Sequence, residues 1–222
     1  MTLYTQDNLK KWRKKKLKNC KEFPKYLYYF SELSNIENII KFGILPKNKI
    51  IKQNIQSKSF ANLEVQKYRK TIKCIISNKE NKFLHDLVPL YLNPKTPTLY
   101  SRKNIQEDVF FCLINSYELL SDPEVNFAYT DGNATNRITK FYYNLDSLNK
   151  LKWDIINSDR WNDKLDGKRI RNSEFLIYPE IKLKYIEFIS CQRHKTIERL
   201  SDYIKGKAIK LNVNKDLFFD TI

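Results

Sequence analysis

Glu174 stands in the stretch RIRNSEFLIYP, residues 169 to 179, between two arginines and the apolar run Phe175, Leu176, Ile177, Tyr178. Such a run, rich in strand-forming residues and closed by Pro179, reads as a buried β-strand. Acidic side chains are almost never fully buried unless paired. A carboxylate at the mouth of this strand therefore has either an ion-pair partner, with Arg169 and Arg171 nearest in sequence, or a chemical task. A fixed negative charge can stabilise a developing positive one or accept a proton.

Other chemistries find less support. His85 and His194 lie far apart, and neither has a Ser or Cys companion in a nucleophile motif. With four glycines and no GxGxxG or GxxxxGK[ST], a bound nucleotide must be held by side chains rather than by a glycine loop. Cys20, Cys74, Cys112 and Cys191 show no CxxC spacing, so neither a zinc site nor a disulfide framework is indicated, and no metal is expected. Glu180 and Lys182 have the spacing of a metal nuclease's acid–lysine unit but lack a clear second acid. The formal charge of +16 favours an anionic partner such as nucleic acid, although the abundance of Lys, Ile and Asn is also what an AT-rich genome produces. No apolar run approaches the roughly 18 residues of a membrane span, and the basic start KKWRKKKLKNC leads into no export signal. A cytoplasmic protein with reduced thiols and no membrane partner is expected.

Three segments carry more together than apart: LYYFSELSNIENIIKFGIL, HDLVPLYLNPKTPTLY, and the stretch from DGNATN to RIRNSEFLI. In order and spacing they resemble the DarT family of DNA ADP-ribosyltransferase toxins over roughly residues 24 to 218, and H-D-x-V-P-x-Y-x-N-P-x-T-P-x-L-Y is the most specific of them. The resemblance implies an α+β fold, an ADP-ribosyltransferase-like split β-sheet with an NAD cleft, surrounded by short helices. It further implies NAD as co-substrate and transfer of ADP-ribose to a base of single-stranded DNA. It places the catalytic carboxylate at Glu174 and makes Arg69 a second catalytic residue and NAD ligand, its planar guanidinium suited to a two-bond clamp. Ser31, Asn35 and Tyr91 match cofactor-binding positions. Tyr29, also on the cofactor side, stands where many relatives have histidine; its ring can stack on nicotinamide but cannot offer the same donor and acceptor. On the DNA side the resemblance implies Lys95, Tyr100, Trp161, Arg169 and Arg171, with Lys164 and Lys168 beside them, the cations meeting phosphates and Trp161 stacking a base. A macrodomain-type antitoxin that removes the modification is the implied partner. The same fold acting on RNA or protein, and an inactive single-strand-binding protein, remain as alternatives, and the modified base is not legible.

One domain over residues 23–222 must position these groups, preceded by a basic helical arm over 1–22. Residues 7–19 read as the arm's helix, whose lysines either track phosphates or form a solvated face. KYLYYFSEL reads as a strand carrying Tyr29 and Ser31, and SNIENIIKFGILP as a helix capped by Ser34 and stopped by Gly43. A helix leads to Arg69. Val88 to Leu92 form a strand whose Val88, Leu90 and Leu92 face the core, and Pro89, Pro94 and Pro97 confine the segment to an edge or a loop and forbid a helix. Strands follow at DVFFCLI and NFAYT, the latter turning at Asp131, Gly132 and Asn133. Short helical pieces over 144–168 place Trp153 in the core. KLKYIEFISC, TIERLSDYIKG and KAIKLNV close the chain as strand, helix ending at Gly206, and strand.

Overall fold

A computed structural model describes residues 5–59 and 62–220. In chain order the elements are α1 (Gln6–Asn19), β1 (Tyr26–Glu32), α2 (Ile36–Phe42), α3 (Lys47–Lys52), α4 (Leu63–Arg69), β2 (Lys73–Ile75), β3 (Asn81–Phe83), β4 (Val88–Tyr91), α5 (Pro97–Tyr100), β5 (Val109–Asn115) and α6 (Ser116–Ser121). Then come β6 (Asn126–Thr130), β7 (Phe141–Tyr142), α7 (Trp153–Ile156), α8 (Gly167–Ile170), β8 (Glu174–Tyr178), β9 (Ile186–Cys191), α9 (His194–Ile204) and β10 (Lys210–Val213). The result is an α+β fold around one sheet of order β10-β9-β5-β1-β4-β8-β6-β7, with β2 and β3 paired separately.

The sheet is split in the middle. β1 pairs with β5 along its whole length, from Tyr26 opposite Asn115 to Glu32 opposite Val109. On its other side β1 meets β4 only where Tyr28 faces Tyr91. Beyond that point the two halves part, and β4 continues pairing with β8 from Val88 opposite Ile177 to Tyr91 opposite Glu174. Pro89 fits this arrangement: it has no N–H to give, and it lies on the strand whose β1-facing edge is mostly open. Glu174 begins β8 at the parting point.

The expected alternation holds in β4, where Val88 and Leu90 are buried and Pro89 and Tyr91 half-buried. β5 is buried almost throughout, as an apolar central strand covered on both faces must be. One core packs Leu90, Phe110, Phe127, Phe175 and Ile177 under Leu17, Phe23 and Trp153. Trp153 takes its expected core place and donates its indole N–H to Leu148 O at 2.9 Å. Gly43 stops α2 with φ +77°, and a Cβ there would overlap the Ile181 carbonyl oxygen.

Several expectations are corrected. Helix α5 forms despite the prolines, because Pro97 occupies the first helical turn, where no intrahelical N–H bond is lost, and Thr96 Oγ1 accepts from Leu99 N at 3.2 Å. Ser34 does not cap α2 directly; it lies inside a 3₁₀ turn, Leu33–Asn35, that leads into it. Helix α1, within the basic arm expected over residues 1–22, packs on the rest of the chain. Leu17 is fully buried in the main core, and the buried Arg13 donates from Nη1 to the carbonyl oxygens of Leu120, Asp122 and Val125 at 3.3, 2.9 and 2.8 Å. Two lysines of α1 are neutralised, Lys14 by Glu118 at 2.8 Å and Lys16 by Asp146.

Candidate active site

Glu174 is buried, and its partner is neither of the arginines nearest in sequence. Arg69, the last residue of α4, meets it in a fork: Nη1 donates to Oε1 at 3.0 Å and Nη2 to Oε2 at 2.9 Å. Ala134 adds a backbone N–H to Oε1 at 3.2 Å. Helix α4 is aimed by its cap, Asn62 Oδ1, which accepts from Glu64 N at 2.8 Å. Burial works against the Arg69 charge, but the adjoining carboxylate more than offsets it and the guanidinium is held charged. The pair is therefore a matched, desolvated ion pair rather than a surface contact.

A cleft of about 860 Å³ opens at the split, within the range of small-molecule sites. Glu174, Arg69, Tyr29, Ser31, Asn35 and Tyr91 all line it, as do Tyr100 and Trp161. Tyr91 lies opposite Glu174 in the sheet and stacks on Phe30 with ring centroids 5.6 Å apart and planes 12° from parallel. Burial pushes the Tyr29 phenol up to about 12, and burial together with the nearby Glu174 does the same to Tyr91, so both are neutral at physiological pH. Tyr100 and Trp161 meet edge to face at 6.3 Å, an aromatic corner in the same cleft.

The family description "ssDNA thymidine ADP-ribosyltransferase, DarT" matches residues 28–219. The chain belongs to the DarT family. That membership makes it an ADP-ribosyltransferase acting on single-stranded DNA. It is 23% identical over 207 residues to a DNA ADP-ribosyl transferase of Thermus sp. (strain 2.9), covering 88% of this chain and 97% of the relative. It is 25% identical over 204 residues to a DNA ADP-ribosyl transferase–DNA ADP-ribosyl glycohydrolase fusion protein of Thermosipho africanus, covering 89% of this chain and 50% of that protein. Solved structures of the Thermus sp. 2.9 DarT superpose with TM-scores of 0.77, in complex with ADP-ribosylated single-stranded DNA, and 0.74, in complex with NAD+. These are 22% and 21% identical and cover 88% of this chain, with 97% and 98% of the Thermus chain, and they establish the shared fold.

Within this DarT cleft, not every residue expected at the site is free to meet a ligand. Asn35 has committed both amide hydrogens, to Ser31 Oγ at 2.9 Å and Lys58 O at 2.8 Å, and its Oδ1 accepts from Lys58 N at 2.9 Å. It holds the segment carrying Lys58 against β1. Three residues expected on the DNA side lie outside the cleft lining: Lys95, Arg169 and Arg171. Arg171 is buried and donates to Lys95 O at 2.9 Å, Ser158 O at 2.8 Å, Asn93 Oδ1 at 2.6 Å and also to Ile156 O. Its guanidinium staples two loops. Arg169 is spent on Asp131 and Asp166 at 3.0 and 2.6 Å. Lys168, by contrast, lines the cleft, whereas Lys164 does not.

The structure also gives His85 and Thr98 of the H-D-x-V-P segment defined partners. His85 Nε2 lies 3.1 Å from Gln66 Oε1, and burial and then the nearby Arg69, Lys47 and Lys70 lower its pKa. Thr98 donates to Asn172 Oδ1 at 2.9 Å, joining α5 to the approach to Glu174. The Ala134 contact is a backbone N–H and leaves no mark in residue identity. Among the described residues no group of three or more His, Cys, Asp or Glu side chains is placed to hold a metal, and no helix is long and apolar enough to cross a membrane.

Proposed function

We propose that this DarT-family chain takes NAD into the cleft between β1 and β4 and transfers its ADP-ribose to a base of single-stranded DNA, acting as a toxin. The observation that carries the assignment of roles is the Glu174 carboxylate, buried at the cleft wall and held by Arg69 and the Ala134 N–H. The Thermus complexes with NAD+ and with ADP-ribosylated single-stranded DNA support both ligands. The donor set suits a dinucleotide: a guanidinium, aromatic faces at Tyr29 and Tyr91, and hydroxyls at Ser31 and Thr98 in one cleft.

In this reading Glu174 is the catalytic carboxylate. As nicotinamide leaves with the electron pair of its glycosidic bond, positive charge builds on the ribose, and a fixed carboxylate beside it lowers the barrier. The base supplies the electron pair of the new bond and passes its proton to the Glu174 carboxylate. Arg69 holds the carboxylate in one orientation and offers the charge that a phosphate or ribose oxygen needs. Tyr29, Ser31 and Tyr91 form the cofactor wall, and Asn35 acts through the segment it holds. Tyr100 and Trp161 offer ring faces to DNA bases, and Lys168 in the cleft adds a cation to Lys95 beside it. Thymidine, the acceptor in the family's description, is the first base to test. A macrodomain-type antitoxin is the expected partner; the glycohydrolase fused to the Thermosipho relative supports an enzyme that reverses the modification.

The test is to incubate the protein with labelled NAD and a mixture of single-stranded DNA, RNA and unrelated protein. Label on DNA supports the reading. Label on RNA or protein alone moves the acceptor, and no label with DNA still bound favours an inactive binding protein.

A further inference from the structure

Arg169 reaches the site through the turn after β6. Its Nη1 donates to Asp131 O at 3.2 Å, Asp131 Oδ1 at 3.0 Å and Thr139 Oγ1 at 3.0 Å, while Nε donates to Asp166 Oδ2 at 2.6 Å. Its carbonyl accepts from Asn133 N at 2.9 Å, and Thr139 Oγ1 in turn donates to Asn133 O at 2.8 Å. The Arg169 side chain lies against Gly132, where a Cβ would overlap Nη1. Both sides of the turn are thus fastened to one side chain. The next residue is Ala134, whose N–H points at Glu174 Oε1 at 3.2 Å. The same turn is tied to Glu174 a second time: Thr130 Oγ1 accepts from Glu174 N at 2.9 Å and donates to Gly132 O at 2.6 Å.

We propose that Arg169 is a positioning residue for the transfer reaction, fastening the 131–139 turn so that the Ala134 N–H holds the Glu174 carboxylate in its working orientation. This rests on the reading of Glu174 as the catalytic carboxylate. Arg69 approaches the same carboxylate from α4 and is also the group offered to NAD, so the Ala134 contact is the one that owes nothing to the ligand. A planar fork is required, because a single ammonium cannot span Asp131, Thr139 and Asp166 together. Gly132 belongs to the same device: only a residue without a side chain leaves the guanidinium its place.

The experiment measures transfer of labelled ADP-ribose to single-stranded DNA, at saturating NAD and DNA, together with the KM for NAD and the thermal midpoint of each variant. Arg169→Ala is expected to lower kcat by about 10- to 100-fold, the scale of a small misplacement of a reacting group, with KM for NAD within about threefold. Arg169→Lys keeps the charge and is expected not to restore the rate. Gly132→Ala is expected to match Arg169→Ala, and the double variant to fall no further, since both remove one device. Thr139→Val weakens the clamp without leaving a charge alone; it is expected to show a smaller loss and serves if Arg169→Ala does not fold. Full activity in Arg169→Ala, full restoration by Lys, or losses that multiply in the double variant would overturn the proposal. Glu174→Gln run alongside separates the two levels: an active Glu174→Gln sinks the assignment of the carboxylate, whereas an inactive one beside a fully active Arg169→Ala sinks only the positioning role.

Discussion

Arg69 and Glu174, 105 positions apart in the chain, meet as a two-bond fork with N–O distances of 3.0 and 2.9 Å at the wall of the cleft. Both are buried, so each is the other's reason for being tolerated there.

Breaking that pair from one side leaves a buried charge alone, which typically costs about 3–5 kcal/mol, whereas replacing both charges is much cheaper. Arg69→Met is therefore expected to lose stability on that scale in urea unfolding, and Arg69→Met combined with Glu174→Gln to recover much of it. A double variant as unstable as the sum of its singles would mean that the two side chains do not depend on each other.

The N-terminal helix docks through Arg13 and Leu17. Arg13 satisfies three backbone carbonyls, so Arg13→Ala strands buried acceptors and is expected to cost about 2–4 kcal/mol by urea unfolding. Lys15, exposed on the same helix, is expected to tolerate alanine within about 0.5 kcal/mol. Equal small effects at both positions would return α1 to the status of a loosely attached arm.

Acid should act through Asp122. Burial alone would raise its pKa, but the Tyr185 hydroxyl, the Glu124 N–H and the Lys184 ammonium together hold it down, at about 2 against an ordinary 3.8. A carboxylate with a depressed folded-state pKa contributes stability that is fully present above the ordinary value and is lost as pH falls through the folded one. Wild-type stability should thus decline between pH about 4 and about 2, and Asp122→Asn should decline less over the same window. Superimposable pH curves for the two proteins would exclude this role.

Much of the site was legible because it lies in continuous motifs. RIRNSEFLI pointed to Glu174, which lines the cleft, and the apolar runs gave β1, β4, β5, β6 and β8, since apolar patterning and strand length are local properties. What failed was pairing over distance. Arg169 and Arg171 looked like the natural partners of Glu174, or of phosphate, because they are close in sequence. The fold turns Arg169 to the β6 turn and Arg171 to four oxygens of two loops. The docking of the basic helix rests on two residues, Arg13 and Leu17, that its many lysines hide in the composition. Helix α5 escapes the rule against proline because Pro97 stands in its first turn.

The most direct test of the account is mass spectrometry of nucleosides from a single-stranded oligonucleotide, containing all four bases, treated with NAD and either wild-type protein or Glu174→Gln. The account predicts one base species carrying ADP-ribose with wild type, with thymidine the first expected, and at least about 100-fold less with Glu174→Gln of unchanged fold. Equal modification by the two proteins would contradict it.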